Sequence, residues 1–363
     1  MPRIPTRTIL KAYQHDPLLP LLLRECRSLE SAKNELRWLR ERALHMVRPA
    51  SGGERAVTKY PVFGWRGLLR SMCLTRSRGM PLQYILGDQP FGDLDIKCAR
   101  GVLIPRHETE TITIHAANFI LDRMLEDQNG NKGEKASLHI LDLCTGTGCI
   151  SLLLHALLSP VFPCLSIVGV DIDDAAIRVA RENTERNVRL GLLSKRALSE
   201  VSFRRGDVLQ CVRSRAAPED MANIIGPSLH ALWSSRCDVI ISNPPYVSPA
   251  EYHDGTTSRS VRIFEPRRAL VPTVNSVLAP VNDNDVQVGD LFYDRIAVLM
   301  SRLDAKLAVL ECGSRLQAVR VATLCRDVLG RYDRTGKAIV DVWPVTDVDP
   351  AAHAVFIQRT RSQ

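Results

Sequence analysis

None of the ten cysteines has another at C-x-x-C spacing, and no histidine cluster stands near them at metal-binding distance along the chain. A disulfide scaffold and a zinc site are thereby excluded as organising principles, no metal is expected, and free thiols in a reducing compartment are. No apolar run approaches the ~20 residues of a membrane-spanning helix, so no stable membrane association is expected. Repeats are absent. The first fifteen residues, MPRIPTRTILKAYQH, hold Arg3, Arg7 and Lys11 but no acid. Basic, hydroxylated and acid-free is the composition of a mitochondrial import signal, although a plain basic tail looks the same. A mitochondrial (matrix) location is the expectation, with the cytoplasm as the alternative.

What is present reads as an ordinary globular chain. Of 363 residues 45% are hydrophobic and 24% charged, a length and balance that suit two domains. The net charge of +8 favours an acidic partner such as nucleic acid or a ribonucleoprotein, or else a solvated basic face. Arg24, Arg27, Arg37, Arg40 and Arg42 near the N-terminus carry the same two readings. Apolar residues at helical period predict a helix over 17–47 and another over 62–78. Residues 1–85 are therefore expected to form a helical N-terminal domain. Short alternations with Gly and Asp over 86–106 predict a β-hairpin linker. Residues 107–363 open with a helix and then alternate strand and helix from 138. That rhythm predicts a Rossmann-like α/β fold, doubly wound around a mostly parallel sheet. The stretches 211–235 and 271–290 have no clean period and are expected as insertions or mobile loops.

The segment LDLCTGTGCI sets Thr145, Gly146, Thr147 and Gly148 between a strand and a helix, where backbone can approach a ligand closely. Asp142 ends the first strand. Asp171 ends the second, where a carboxylate can accept both hydroxyls of a ribose. Yet the third glycine of a dinucleotide loop is missing, and Ser151 stands in its place. Carboxylates crowd the loop instead, which suits a cationic ligand better than a diphosphate. S-adenosylmethionine is the ligand of that description, with its sulfonium, ammonium and diol. Asp207, after the third strand, is expected at the adenine amine.

The fourth strand, CDVIIS, leaves the sheet on Asn243-Pro244-Pro245-Tyr246. Proline fixes its own φ and keeps the preceding residue extended, so this corner is stiff. The Asn243 side-chain oxygen and the Pro244 carbonyl can then accept both hydrogens of a planar NH2 group, with Tyr246 stacked on its face. Such a cradle suits an amide, a poor nucleophile that gains most from being held in line.

These motifs together resemble one family. PLQYILGDQPFGDLDIKCARGVLIPRHETE, LDLCTGTGCI, GVDID, ISNPPYVS and VRIFEPRRALV run in the order found in the HemK/PrmC protein-(glutamine-N5) methyltransferases. The resemblance implies the class I S-adenosylmethionine-dependent methyltransferase fold. It implies methylation of the glutamine in the Gly-Gly-Gln motif of a class I peptide chain release factor, the mitochondrial one for this chain, with no requirement for direct nucleic-acid binding. By that resemblance the helical domain 1–85 docks the protein substrate, and Cys144, Thr145, Gly146, Thr147, Gly148, Asp171, Asp207 and Val208 hold the methyl donor, with Asp142 and Asn243 expected beside it. Asn243, Pro244, Pro245 and Tyr246 hold the glutamine amide, and Phe91 and Ile104 to Arg106 shape its pocket. Cys144 stands where the family has glycine, so ordinary backbone angles are expected there. His107 stands where it has proline. A ribosomal-protein glutamine methyltransferase shares the chemistry. A nucleic-acid adenine-amine methyltransferase shares the Asn-Pro-Pro-Tyr tetrad but needs base flipping, and no target-recognition domain stands out.

Overall fold

The computed structural model describes residues 3–47, 64–128, 137–209, 237–273, 288–332, 336–344 and 352–361. The stretch 211–235 and most of 271–290 lie outside them. The chain divides into two compact units, Met1–Asp88 with Ser258–Phe264, and Gln89–Thr257 with Glu265–Gln363. A boundary drawn along the sequence does not anticipate that 258–264 belongs with the first unit.

The first unit contains α1 (Thr6–His15), α2 (Leu19–Cys26), α3 (Leu29–Val47), α4 (Gly64–Ser77) and α5 (Leu82–Leu86). Pro5 precedes the first turn of α1, where a missing N–H costs nothing, so the early prolines do not prevent this helix. The single helix expected over 17–47 is two. Arg27 takes a left-handed φ of 64° and ends α2, and the Ser28 hydroxyl accepts from the Ser31 N–H at the start of α3. Leu22, Leu23, Leu39 and Cys73 are fully buried between the helices. Arg76 forks onto Glu35 with two bonds of 2.8 and 2.9 Å, tying α4 to α3 in nearly apolar surroundings. Of the basic residues noted in the sequence, Arg40 pairs with Asp16 and Arg42 with Asp88.

The second unit starts with the short hairpin of β1 (Asp88–Phe91, whose first residue belongs to the first unit) and β2 (Leu94–Lys97), followed by α6 (His107–Gln128). Then come β3 (Ser137–Leu143), α7 (Cys149–Leu158), β4 (Cys164–Asp171), α8 (Asp174–Arg189), α9 (Ala197–Glu200), β5 (Val201–Arg205) and β6 (Val239–Ser242). After β6 lie α10 (Pro249–His253) and, in the first unit, α11 (Arg259–Phe264). The chain finishes with α12 (Leu291–Arg302), β7 (Leu307–Cys312), α13 (Arg315–Tyr332), β8 (Gly336–Trp343) and β9 (His353–Arg361).

Among the described residues the main sheet has seven strands in the order β5-β4-β3-β6-β7-β9-β8. The first five are parallel, and β9 runs antiparallel to both β7 and β8. Alternate residues feed two cores. Leu141, Val168, Ile240 and Ala308 face α12 and α13, while Ile140, Ile167, Val239 and Leu307 face α6 and α7. Burial on both faces is why these strands read as unbroken apolar runs. The strand order reverses between β3 and β6, the switch point where such sheets open a crevice at their carboxyl edge. No helix among the described residues is long and apolar enough to cross a membrane.

The opposite edge is stapled by one acid. Asp238 Oδ2 accepts from the His139 backbone N–H at 3.1 Å, and Oδ1 meets Lys306 Nζ at 3.1 Å. Burial alone pushes this carboxyl up, but the His139 bonds and the Lys306 ammonium outweigh it and hold it well below the usual carboxylate range. Its contribution is therefore fully present above the unfolded-state value near 3.9 and is lost as pH falls through the lower folded value. Asp238→Asn is expected to lower the unfolding free energy by about 1–3 kcal/mol at neutral pH. Urea titrations at stepped pH should find the gap to wild type closing as the medium is acidified below pH ~4.

Candidate active site

Two corners leave the sheet side by side. Leu143 of β3 pairs with Ser242 of β6, and the Ser242 hydroxyl donates to the Leu143 carbonyl at 2.8 Å. Cys144–Gly148 and Asn243–Tyr246 thus start from adjacent points on the carboxyl edge. Asp171 closes β4, and Asp207 follows β5. Between them lies a cavity of about 410 Å³, lined by Ile104, Pro105, Arg106 and Thr109, by Cys144 to Thr147, by Asp171 and Asp173, by Arg205 to Leu209, and by Asn243 and Pro245.

The glycine loop is shaped by what a side chain would hit. Gly148 has φ 79°, and a Cβ there would come within 2.9 Å of the Phe203 ring and 3.0 Å of Ala180. Gly146, with φ 55°, faces open space and donates its N–H to Asp171 Oδ2 at 2.9 Å. Asp171 Oδ1 accepts from the Asp173 N–H at 2.9 Å. A carboxylate has about four acceptor positions, so each oxygen keeps a lone pair for a hydroxyl. Burial raises the Asp171 carboxyl, and the backbone N–H bonds oppose that rise. Asp207 Oδ1 accepts from the Leu209 N–H at 2.9 Å, and Val208 lines the cavity beside it.

Cys144 corrects an expectation. Its φ is 61°, left-handed, not the ordinary region expected for a side-chain-bearing residue. The turn keeps the geometry that suits glycine and carries about 1–2 kcal/mol of strain at cysteine. Burial, followed by the nearby Asp171 and Asp142 carboxylates, pushes its thiol well above the usual range. A thiol held in its neutral form therefore borders the cavity.

Three further expected contacts, Gly148, Asp142 and Phe91, are absent from the cavity wall, Gly148 because it is packed against Phe203 and Ala180. Asp142 is fully buried behind the loop, where its Oδ2 accepts from Thr145 Oγ1 and Ser151 Oγ, both at 2.6 Å. Burial pushes it up to about 6 against those two hydroxyls. It braces the glycine loop from behind, and Ser151, the replacement for a third glycine, is one of its two donors. Phe91 is 1% exposed and packed with Leu94 and Ile96 in the core on the α7 side, because β1 turns its apolar face inward. The Ile104–Arg106 segment does line the cavity. It is pinned by Glu265, whose Oε1 pairs with Arg106 at 2.7 Å and whose Oε2 accepts from the Ile104 N–H at 3.2 Å.

In the tetrad, Asn243 and Pro245 line the cavity, whereas Pro244 and Tyr246 are not part of its wall. The Tyr246 ring lies against the turn after β7, where a Cβ on Gly313 would come within 2.8 Å of its Cδ2 and Cε2. Its carbonyl accepts from Gln317 Nε2 at 3.2 Å. Asn243 Nδ2 donates to Thr109 Oγ1 at 3.0 Å, and the Thr109 hydroxyl donates to Glu311 Oε1 at 3.1 Å. The Asn243 Oδ1 takes no hydrogen bond from the described residues.

The residues not foreseen as site components are Thr109, Glu265, Glu311, Gly313 and Gln317. Thr109 and Glu265 sit inside quoted motifs without an assigned role. Glu311 left one trace, a lone acid at the end of the apolar strand LAVLEC. Gly313 and Gln317 left none, since their task is to receive Tyr246.

Comparison with known proteins agrees with this geometry. Residues 134–244 match a family model described as a methyltransferase domain. The chain is 33% identical to the "Mitochondrial MRF1 N(5)-glutamine methyltransferase MTQ1" of Saccharomyces cerevisiae, over 81% of this chain and 76% of that protein. It is 31% identical to the "Probable MRF1 mitochondrial N(5)-glutamine methyltransferase mtq1" of Schizosaccharomyces pombe, over 90% of each. A "Release factor glutamine methyltransferase" of Pasteurella multocida is 33% identical over 56% of this chain and 57% of its own length.

Proposed function

Because the chain belongs to the N5-glutamine methyltransferase family, we propose that it methylates the glutamine side-chain amide in the Gly-Gly-Gln motif of a class I peptide chain release factor, in the mitochondrion. The observation that carries this reading is the juxtaposition of Asn243 with Cys144–Thr147 across one cavity. The names of the two fungal relatives and the basic, acid-free first fifteen residues support the mitochondrial part.

The donor-side residues fit S-adenosylmethionine. Asp171 retains acceptor capacity for a ribose diol, and Gly146 leaves open space above the loop. When bound, S-adenosylmethionine supplies an electrophilic methyl group on a sulfonium. On the acceptor side, Asn243 Oδ1 would take an N–H of the glutamine amide, whereas the Pro244 carbonyl, expected from the sequence to take the other, is not part of the cavity wall. That arrangement fixes the nitrogen's direction and stabilises the positive charge it gains. Arg106, held by Glu265, lines the same cavity beside Ile104 and Pro105. No side-chain base is needed, because an N-protonated amide is acidic enough to lose its proton to water.

The test is transfer of labelled methyl to intact release factor, to a Gly-Gly-Gln peptide, to ribosomal proteins and to DNA. Label is expected on the release factor and is expected to vanish when the motif's glutamine is replaced by alanine. Label on ribosomal protein or DNA, with none on release factor, overturns the reading.

A further inference from the structure

We propose that Thr109 and Glu311 are positioning residues for methyl transfer, setting through a chain of hydrogen bonds which end of the Asn243 carboxamide faces the acceptor amide. This rests on the role given above to Asn243. A carboxamide is nearly symmetric in shape, but one end accepts and the other donates. If the NH2 end faced the cavity, two donors would meet the donors of the substrate amide, and the cradle would repel what it is meant to hold. Something must therefore fix the flip.

Three elements converge to do so. Asn243 follows β6, Thr109 lies in the first turn of α6, and Glu311 sits near the end of β7. The Thr109 hydroxyl has one hydrogen, and it points to Glu311 Oε1 at 3.1 Å. Ionised, this carboxyl only accepts, and with its proton on Oε2, the oxygen that has no partner among the described residues, Oε1 is a carbonyl and accepts as well, so that hydrogen is committed and Thr109 offers Asn243 a lone pair. The NH2 end of Asn243 takes it at 3.0 Å, leaving Oδ1 toward the cavity. Thr109 and Glu311 are 3% and 4% exposed, so water does not compete for these bonds.

Glu311 is an expensive group to keep there. Its Oε2 is buried without a hydrogen-bond partner among the described residues, and burial pushes the carboxyl up to about 8, with the Thr109 bond opposing. Its backbone is also held, since its carbonyl accepts from the Tyr293 hydroxyl at 2.7 Å. A strand end in an apolar core has no packing need for an acid. Among the described residues its one side-chain bond goes to Thr109, and the only further side-chain bond of Thr109 goes to Asn243.

The experiment uses the full chain, with labelled donor and intact release factor. Thr109→Val, which keeps shape and loses the hydroxyl, is expected to lower kcat about 10- to 100-fold, the scale of a misaligned reacting group. Donor affinity should stay near wild type, and the melting temperature should fall by only a few degrees as Glu311 and the Asn243 NH2 lose a buried partner, so kcat is compared well below it. Thr109→Ser should restore kcat to within about threefold, since it keeps both hydrogen-bonding roles. Glu311→Met should lose activity to a similar degree, and the double variant should lose little more than either single one, because the two act in series. Should the valine variant fold poorly, Thr109→Ala carries the same test without added branching. Wild-type kcat in Thr109→Val or Thr109→Ala, alongside a dead Asn243→Ala, overturns the positioning chain and leaves the methyltransferase reading intact. An active Asn243→Ala overturns the cradle itself.

Discussion

Replacing Asn243 by alanine is expected to lower kcat/KM for the release factor by a factor on the order of 10² to 10³, with the donor still bound. The figure is that of a single preorganised hydrogen-bonding group acting on charge that develops during reaction. Two losses combine. The acceptor amide loses the partner that orients its nitrogen, and the Thr109 lone pair loses its donor inside a buried pocket. Since the corner is stiffened by Pro244 and Pro245, the backbone cannot move in to compensate. Steady-state transfer with release factor varied, together with calorimetric titration of the donor, separates lost orientation from a lost site.

The second large effect concerns Asp171. Asp171→Ala is expected to weaken donor binding about 100-fold, equal to roughly 2.7 kcal/mol. In the proposed donor site its two oxygens would serve backbone and ligand at once. Oδ2 holds the Gly146 N–H, and Oδ1 holds the Asp173 N–H, so the carboxylate shapes the loop it also completes. Asp171→Asn should not rescue, because its NH2 end would have to meet one of those two N–H groups. Equilibrium titration of each variant with donor measures this. Saturating donor should recover part of kcat in Asp171→Ala and none in Asn243→Ala.

Most of the scaffold was legible because each parallel strand is buried on both faces and each crossover helix has its own period. The strands around 138, 165, 201, 237 and 305 lie where their apolar runs end, and both site corners follow strands whose neighbours are set by topology. Side-chain direction was less legible. Phe91 reads as a pocket residue until the hairpin turns it inward, and Asp142 reads as a ligand acid until two hydroxyls claim it from behind the loop. Cys144 shows the limit of reasoning from residue type, for the turn imposed its left-handed φ on a residue that resists it. The α2–α3 break was missed because one residue, Arg27, carries it, and its neighbours preserve the apolar spacing. Helix α12 was not singled out at all, following as it does the aperiodic stretch 271–290.

Helix α8 carries two buried asparagines that replace a missing strand. Asn187 accepts from the Asp95 N–H and donates to the Asp95 carbonyl, at 2.9 and 3.0 Å. One turn away, Asn183 accepts from the Lys97 N–H at 2.7 Å and donates to the Thr147 carbonyl at 2.9 Å. The β2 edge is thus sealed by side chains from a helix rather than by another backbone, and the same carboxamide reaches the glycine loop. Amide hydrogens at Asp95 and Lys97 can exchange with solvent only when α8 lets go, so hairpin, helix and donor loop open as one cooperative segment. A fluctuation that loosens the hairpin is felt at Thr147 in the same event.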